Sequence, residues 1–437
     1  MRKQIIFKTD SFPDFHHNLL SWLKQHDIYC YLNSNGLDTK YGSYDFLCAV
    51  GSKDEFVCPE NNVIAAFKEY FYSKSDWLFG FFTYDLKNEL ENLTSNKHDG
   101  VHMPLIHFFN PELVFYQMDN LFHIAYFEED YTPEDVGGLF KHICNINTDA
   151  EQQRKNVFNE VQARVSKEVY LEKMDKIKKY IQDGDIYEMN YCIEFYASSI
   201  KDVDVLELYS DFNQLSPAPF SCVYKLRDKV LISTSPERFL KKSGQKMLSQ
   251  PIKGTIKRGE SITEDEALKD MLAQSEKEKS ENVMIVDLVR NDMSHFAHKS
   301  SVKVEELFGI YSYAQVHQMI STVSCELKED CCIVDAIMKC FPPGSMTGAP
   351  KIRAMQIIED LENTKRGLYS GSVGYFSPEK DFDFNVVIRS ILVNNTEKYA
   401  SFMAGGAITA QSVPEMEYEE CLLKAKAMMK ILNGETQ

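Results

Sequence analysis

The run Val386-Val387-Ile388-Arg389-Ser390-Ile391-Leu392-Val393 restricts the fold more than any other segment of the chain. Apart from Arg389 and Ser390, every residue in it is valine, isoleucine or leucine. Such a run is predicted to be part of a strand from Phe384 to Val393, covered on both faces. A guanidinium inside that strand has to be paired, and a carboxylate on a ligand is a natural partner. Similar runs recur at Trp77–Phe82, Leu121–Phe127, Phe220–Leu226, Val230–Thr234, Val373–Ser377 and Tyr399–Ile408. Helical segments separate them. Tyr170, Met174, Ile177 and Ile181 form one apolar stripe that Gly184 ends. A second helical stretch starts near Thr263, with Thr263 and Glu266 as a capping box, and continues or restarts through Val283–Val286. A last helix begins with Ser412 and Glu415 as its capping box and Pro414 in the first turn. Strands and helices in long blocks predict a mixed α/β architecture. The polar stretch Asn145–Val165 reads as a linker or surface helix, dividing residues 1–150 from residues 165–432.

The 437 residues allow two to four domains or one large α/β unit, at about 100–200 residues per domain. Against 48 basic residues stand 65 acidic ones, a net charge of −17. That field repels phosphate backbones and anionic lipid, so neither a nucleic acid nor a membrane surface is an expected partner. The basic N-terminal segment Met1–Lys8 carries no long apolar run, and no stretch reaches the length of a membrane span. Eleven cysteines, with no Cys-x-x-Cys pair, argue against a disulfide framework and a structural zinc site. The expected setting is the cytoplasm.

Two carboxylate pairs stand out. Glu278 and Glu281 share one helix face, and Glu417 and Glu420 repeat the spacing. Facing one cavity, the pairs could hold magnesium against an anionic substrate. From spacing alone they equally describe solvated helix surface, with Lys424 four residues beyond Glu420. The turn Phe341–Lys351 fails as a phosphate loop because Gly344 and Gly348 are one residue too close. Ala404-Gly405-Gly406-Ala407 suits either close approach to a ligand or a bend between strands. Lys253, beside Gly254, is either a solvated charge or a nucleophile in an apolar cleft. His317, read as helical, suits a packing role better than catalysis.

Together these segments resemble the chorismate-utilising enzymes. The resemblance lies in Pro251–Gly259 (PIKGTIKRG), Glu281–Asp292 (ENVMIVDLVRND), Gly344–Met355 (GSMTGAPKIRAM), Gly371–Phe376 (GSVGYF), and Ala404–Ala407 followed by Glu417–Glu420. It covers residues 165–430 densely and in order, and the first 150 only weakly. It implies the fold of anthranilate synthase component I: two intertwined subdomains with a β-sandwich-like core flanked by helices. Among the family's branches, PIKGT is similar to the aminodeoxychorismate synthases, whereas anthranilate synthases typically have alanine in place of Lys253.

The same resemblance implies the roles. Lys253 would attack the chorismate ring at C2 as the C4 hydroxyl leaves, in a pocket that lowers its pKa. Glu237 would be the acid for that departure, with a raised pKa, and its alternative is an ion pair with Arg238. Ammonia would then enter at C4. Glu278, Glu281, Glu417 and Glu420 match magnesium-site carboxylates, with Glu281 and Glu420 favoured as direct ligands. Gly254, Thr255, Tyr375, Arg389, Gly405 and Gly406 match chorismate contacts, and His317 and Ser345 line the same pocket in relatives. Ala407 departs from the pattern, since many relatives have a third glycine there. The segment Tyr31–Asn35, with Ser34, loosely matches the one that holds tryptophan in anthranilate synthases. No Gly-x-Cys-x-Gly turn is present, so ammonia is expected from solution or from a glutamine amidotransferase subunit. Anthranilate synthase component I and a non-catalytic chorismate- or tryptophan-sensing subunit are the rival readings.

Overall fold

Along Leu78–Phe82 the side chains of Phe79 and Phe81 enter one core and those of Leu78 and Phe82 another. The strand's two-residue period thus feeds two cores at once. Tyr29 and Tyr31 lie in a third core while Cys30, between them, shares that of Phe79, and Val230, Leu231 and Ile232 divide the same way. Strands of this kind demand layers on both faces. The computed structural model supplies them, describing residues 2–8, 14–37, 40–118, 121–146, 161–201 and 204–433.

Among the described residues there are two sheets, of twelve and ten strands, in which every strand pair is antiparallel. The larger sheet runs Arg2–Lys8, Leu121–Phe127, Leu113–Met118, Phe46–Val50, Ile28–Asn33, Phe220–Leu226. It continues through Lys229–Ser235, Ser390–Asn394, Tyr399–Thr409, Glu188–Ser198 and the short Gly348–Ala349. The smaller sheet runs Ile252–Lys257, Val316–Glu326, Lys246–Gln250, Arg238–Ser243, Phe382–Asn385, Ser372–Phe376, Leu78–Phe82, Ile106–Asn110 and Asp54–Glu55. Both sheets therefore draw strands from each side of the polar stretch, of which residues 147–160 lie outside the described residues.

Residues such as Phe79, Phe81 and Val373 of the smaller sheet meet Tyr224, Leu231 and Leu392 of the larger one in the core between them. Among the described residues, six helices cover the outer face of the larger sheet, Lys167–Gln182 and Pro414–Leu432 among them. Val63–Ser73, Glu276–Ser294 and Ile333–Cys340 cover the smaller. The β-sandwich core flanked by helices is as the sequence implies.

Several local expectations are corrected. The strand foreseen over Phe384–Val393 is two strands, Phe382–Asn385 and Ser390–Asn394, which belong to different sheets. The break passes through Arg389, whose φ of +46° no strand accommodates. The cap near Thr263 is Ser261, whose hydroxyl accepts from the amide of Glu264. Ser412 does not cap the last helix: Val413 occupies that position, and the Ser412 hydroxyl accepts from the Thr409 amide instead. His317 lies in a strand rather than a helix.

Phe108 is fully buried, with its ring centre 4.8 Å from that of Phe67 and 5.0 Å from that of Phe82. Phe108→Ala is predicted to cost about 3–5 kcal/mol of unfolding free energy. Ile6→Ala, on the half-exposed edge strand, is predicted to change it by less than about 0.5 kcal/mol. Urea denaturation checks both, and similar small losses would contradict the layered core.

Candidate active site

The chain crosses from the larger sheet to the smaller between Lys229–Ser235 and Arg238–Ser243. Pro236 and Glu237 make the crossing, which leaves Glu237 buried between the layers. Its carboxylate accepts a hydrogen bond of 2.6 Å from the Ser345 hydroxyl, on the turn Gly344–Met346. Burial pushes its pKa up to about 7, against the opposing pull of Ser345 and Lys253. Arg238 is not its partner: that guanidinium pairs with Asp383 at 2.8 Å.

Lys253 sits where the edge strand Ile252–Lys257 loses register against Val316–Glu326, between Ile252 and Thr255. Such a bulge re-aims side chains. Gly254 takes φ +95°, and a Cβ there would come within 3.1 Å of Glu278 Oε2. The re-aimed Lys253 is buried, and its Nζ donates to Glu188 Oε1 at 2.5 Å. Burial pulls the lysine pKa down, but Glu188, with Glu281 and Glu237 behind it, more than reverses this. The sequence-based expectation of a lowered pKa is therefore corrected: the charged amine is favoured.

Glu188 opens the strand Glu188–Ser198, and Asn190 follows on the same face. Asn190 Nδ2 donates to the Ser345 carbonyl at 3.1 Å. Behind them, buried Arg366 pairs with Glu362 at 2.6 Å and donates to the carbonyls of Asn190 and Met346. Glu362 in turn accepts from the Cys192 amide. This network ties the Glu188 strand to the turn that holds Ser345. At Gly405, paired with Cys192, a Cβ would meet the Tyr191 carbonyl at 2.0 Å, so only glycine fits.

The acidic pairs face each other across the cavity. Lys277 Nζ stands 3.9 Å from both Glu281 Oε1 and Glu417 Oε1, and Lys424 pairs with Glu420 at 2.8 Å. Burial raises the pKa of Glu281 to about 7 and also raises that of Glu278. Glu420 is half-exposed, and Lys424 outweighs the partial loss of solvent and holds it below the usual carboxylate range. Buried Glu281 Oε1 has no hydrogen-bond partner among the described residues. Hard carboxylate oxygens gathered around a lysine, one of them unpartnered, suit a magnesium ion in donor chemistry. Among the described residues, no group of three or more His, Cys, Asp or Glu stands together as a ready metal cluster.

These groups line one cavity of about 730 Å³, within the range of small-molecule sites. It gathers Glu237, Lys253, Gly254, Thr255, Glu278, Glu281, Ser345, Arg389, Gly405, Glu417 and Glu420. Gly406 borders the carboxylates: a Cβ there would lie 3.6 Å from Glu417 Oε2. The break at Arg389 sends its guanidinium toward the cavity, with no ion pair or hydrogen bond among the described residues. Two residues expected in this pocket, His317 and Tyr375, are elsewhere. His317 is buried against Asp265 at 2.9 Å, since Val316 and Gln318 take the cavity side of its strand. Tyr375 and Ser34 line a separate space of about 70 Å³ beside Arg238. Glu188, Lys277 and the Arg366 network are what the sequence reading leaves out. A carboxylate at the head of Met189–Ile193, apolar apart from Asn190, was the available signal for Glu188.

Among the described residues, seven cationic side chains and five carboxylates line the cavity, a local reversal of the chain's net −17. That balance suits a small anion. No helix among the described residues is long and apolar enough to cross a membrane.

Comparison with known proteins agrees with this geometry. The chain is 39% identical to the chloroplastic aminodeoxychorismate synthase of Arabidopsis thaliana over 79% of its own length, which is only 39% of that protein. It is 31% identical to aminodeoxychorismate synthase component 1 of Bacillus subtilis, over 98% of this chain and 96% of that one. Anthranilate synthase component 1 of Thermus thermophilus is 36% identical over 80% of this chain and 76% of that one. The crystal structure of anthranilate synthase component I from Streptococcus pneumoniae superposes with a TM-score of 0.77, at 24% identity, over 90% and 93% of the two chains. The sequence matches the chorismate binding enzymes across residues 30–430, and the chain belongs to that family.

Proposed function

We propose that the chain is an aminodeoxychorismate synthase component 1, converting chorismate and ammonia to 4-amino-4-deoxychorismate. The observation that carries the reading is Lys253, buried in the cavity beside Glu237 and across from an unpaired Arg389. An anthranilate synthase is the rival, and a lysine at this position favours the C4 chemistry.

In this reading Arg389 binds a substrate carboxylate, which supplies the partner its guanidinium lacks. Glu237, with a pKa of about 7, keeps a proton near neutral pH and gives it to the C4 hydroxyl. The Lys253 amine forms a bond to C2, the two ring double bonds shift, and the C4–O bond breaks to release water. Ammonia then adds at C4, the double bonds return, and the C2–N bond breaks to free the lysine. A magnesium ion held by Glu281 and Glu420, with Glu278 and Glu417 beside them, would offset the charge of the ring carboxylate. A glutamine amidotransferase subunit would supply ammonia, and the product would feed the 4-aminobenzoate branch of folate synthesis.

Lys253→Ala is predicted to lose nearly all aminodeoxychorismate formation while still binding chorismate, and Lys253→Arg not to restore it, because guanidinium stays protonated. Product chromatography reads both, and normal output from Lys253→Ala would sink the covalent route. Glu281→Gln and Glu420→Gln are each predicted to cut magnesium-dependent turnover severely with little change in thermal unfolding. Full magnesium-dependent activity in both variants would remove the metal assignment. Glu237 must be protonated to act, so adduct formation without ammonia is predicted to fall as pH rises above about 7. In Glu237→Gln this dependence disappears and the rate is low throughout.

A further inference from the structure

Lys253 poses a chemical problem for the function proposed above. The attacking amine needs a free electron pair, yet the structure surrounds it with carboxylates. Glu188 lies on the Glu188–Ser198 strand, Glu237 at the sheet crossing, and Glu278 and Glu281 on the Glu276–Ser294 helix, while Glu420 acts on it from the last helix. Among the described residues only Glu188 pairs with it: the contact is 2.5 Å, with 8% and 2% of the two side chains exposed. Of the charged groups around Lys253, Glu188 therefore has the one direct path for its proton.

The second oxygen of Glu188 adds an independent observation. Glu188 Oε2 is buried and has no hydrogen-bond partner among the described residues. A carboxylate kept purely to hold a charge is normally satisfied at both oxygens, because an orphaned buried acceptor costs about 1–3 kcal/mol. An unpartnered oxygen next to a proton donor is a place for a proton to reside. In a low-dielectric setting, moving one proton from Nζ to the carboxylate also turns a buried ion pair into a neutral pair, which removes its desolvation cost.

We propose that Glu188 is the base that takes the Lys253 proton as the amine attacks, and the acid that returns it when the amine leaves. The proposal rests on the reading of Lys253 as the nucleophile. The proton passes from Nζ to Glu188, and the neutral amine gives its electron pair to C2. The electrons of the two ring double bonds shift toward C4, and the hydroxyl departs as water with the proton of Glu237. Ammonia enters at C4, and the C2–N electron pair returns to Nζ, which recovers its proton from Glu188. The incoming nitrogen gives up one proton to Glu237, so both carboxyl groups end the cycle as they began.

The test uses the whole 437-residue chain with chorismate and magnesium but no ammonia, following added mass on the peptide that holds Lys253. The wild type forms the adduct at a rate independent of pH between about 5 and 7. Glu188→Gln keeps the size and the hydrogen bond but accepts no proton. It is expected to form adduct about 100-fold more slowly or worse, with a rate that rises with pH over the same range. Glu188→Ala supplemented with formate is the second arm, expected to recover part of the rate, with chorismate binding as the check on folding. Adduct formation in Glu188→Gln as fast as in the wild type, or faster, would overturn the proposal and make Glu188 a brake on the lysine. A slow Glu188→Gln without pH dependence, together with no rescue of Glu188→Ala by formate, would reduce Glu188 to a structural role. A wild type that gives no adduct would instead overturn the nucleophile itself.

Discussion

Two opposite charges, the Lys253 ammonium and the Glu188 carboxylate, meet at 2.5 Å in a part of the protein from which water is nearly absent. Burying such a pair in place of apolar groups is rarely a gain in stability, and leaving either charge unpaired costs more still. Each half of the pair needs its own element of the fold. The bulge at Lys253 and Gly254 turns the lysine off the edge of the smaller sheet, and the larger sheet delivers Glu188 at the head of a strand. The Arg366–Glu362 pair, joined to the backbone of both that strand and the Ser345 turn, ties the strand that carries Glu188 to the turn whose hydroxyl holds Glu237. The pair thus lies on the seam of the sandwich, where neither sheet alone could build it.

The same seam explains how an acidic chain accommodates an anion. The acidic residues at the site are not left facing the substrate alone, since Lys277 stands between Glu281 and Glu417 and Lys424 holds Glu420. Arg389 contributes a cation that has no side-chain partner among the described residues, at the cost of a left-handed backbone conformation. Burial drives Glu237 and Lys253, side by side, toward their neutral forms, which raises the pKa of the carboxyl and pulls down that of the amine. Glu188 is what restores the charge on the lysine.

Much of the framework was legible in the chain because it depends on local periodicity. The stripe Tyr170–Ile181 became the helix Lys167–Gln182, with Gly184 at φ +82° just beyond it. The two acidic pairs and the glycine turns were likewise readable as repeated spacings. What local patterns could not reveal was pairing across the chain. Glu188 and Lys253 are 65 residues apart, and no spacing rule connects them. The apolar run through Arg389 reads as one strand because strands flank it on both sides, ending at Asn385 and restarting at Ser390, and only the parting of the two sheets places a break between them. His317 lies between Val316 and Gln318, which line the cavity, but the alternation of a strand sends neighbours to opposite faces, and Tyr375 sits on a strand, Ser372–Phe376, of which no residue reaches that cavity.

The central claim, that this site replaces the C4 hydroxyl of chorismate by an amine and leaves the enolpyruvyl group in place, is tested most directly by measuring pyruvate. The purified chain is incubated with chorismate, magnesium and ammonium, and pyruvate is followed by a coupled lactate dehydrogenase assay as chorismate is consumed. The account predicts that chorismate disappears with no matching pyruvate. Pyruvate released mole for mole with chorismate, together with anthranilate, would contradict it.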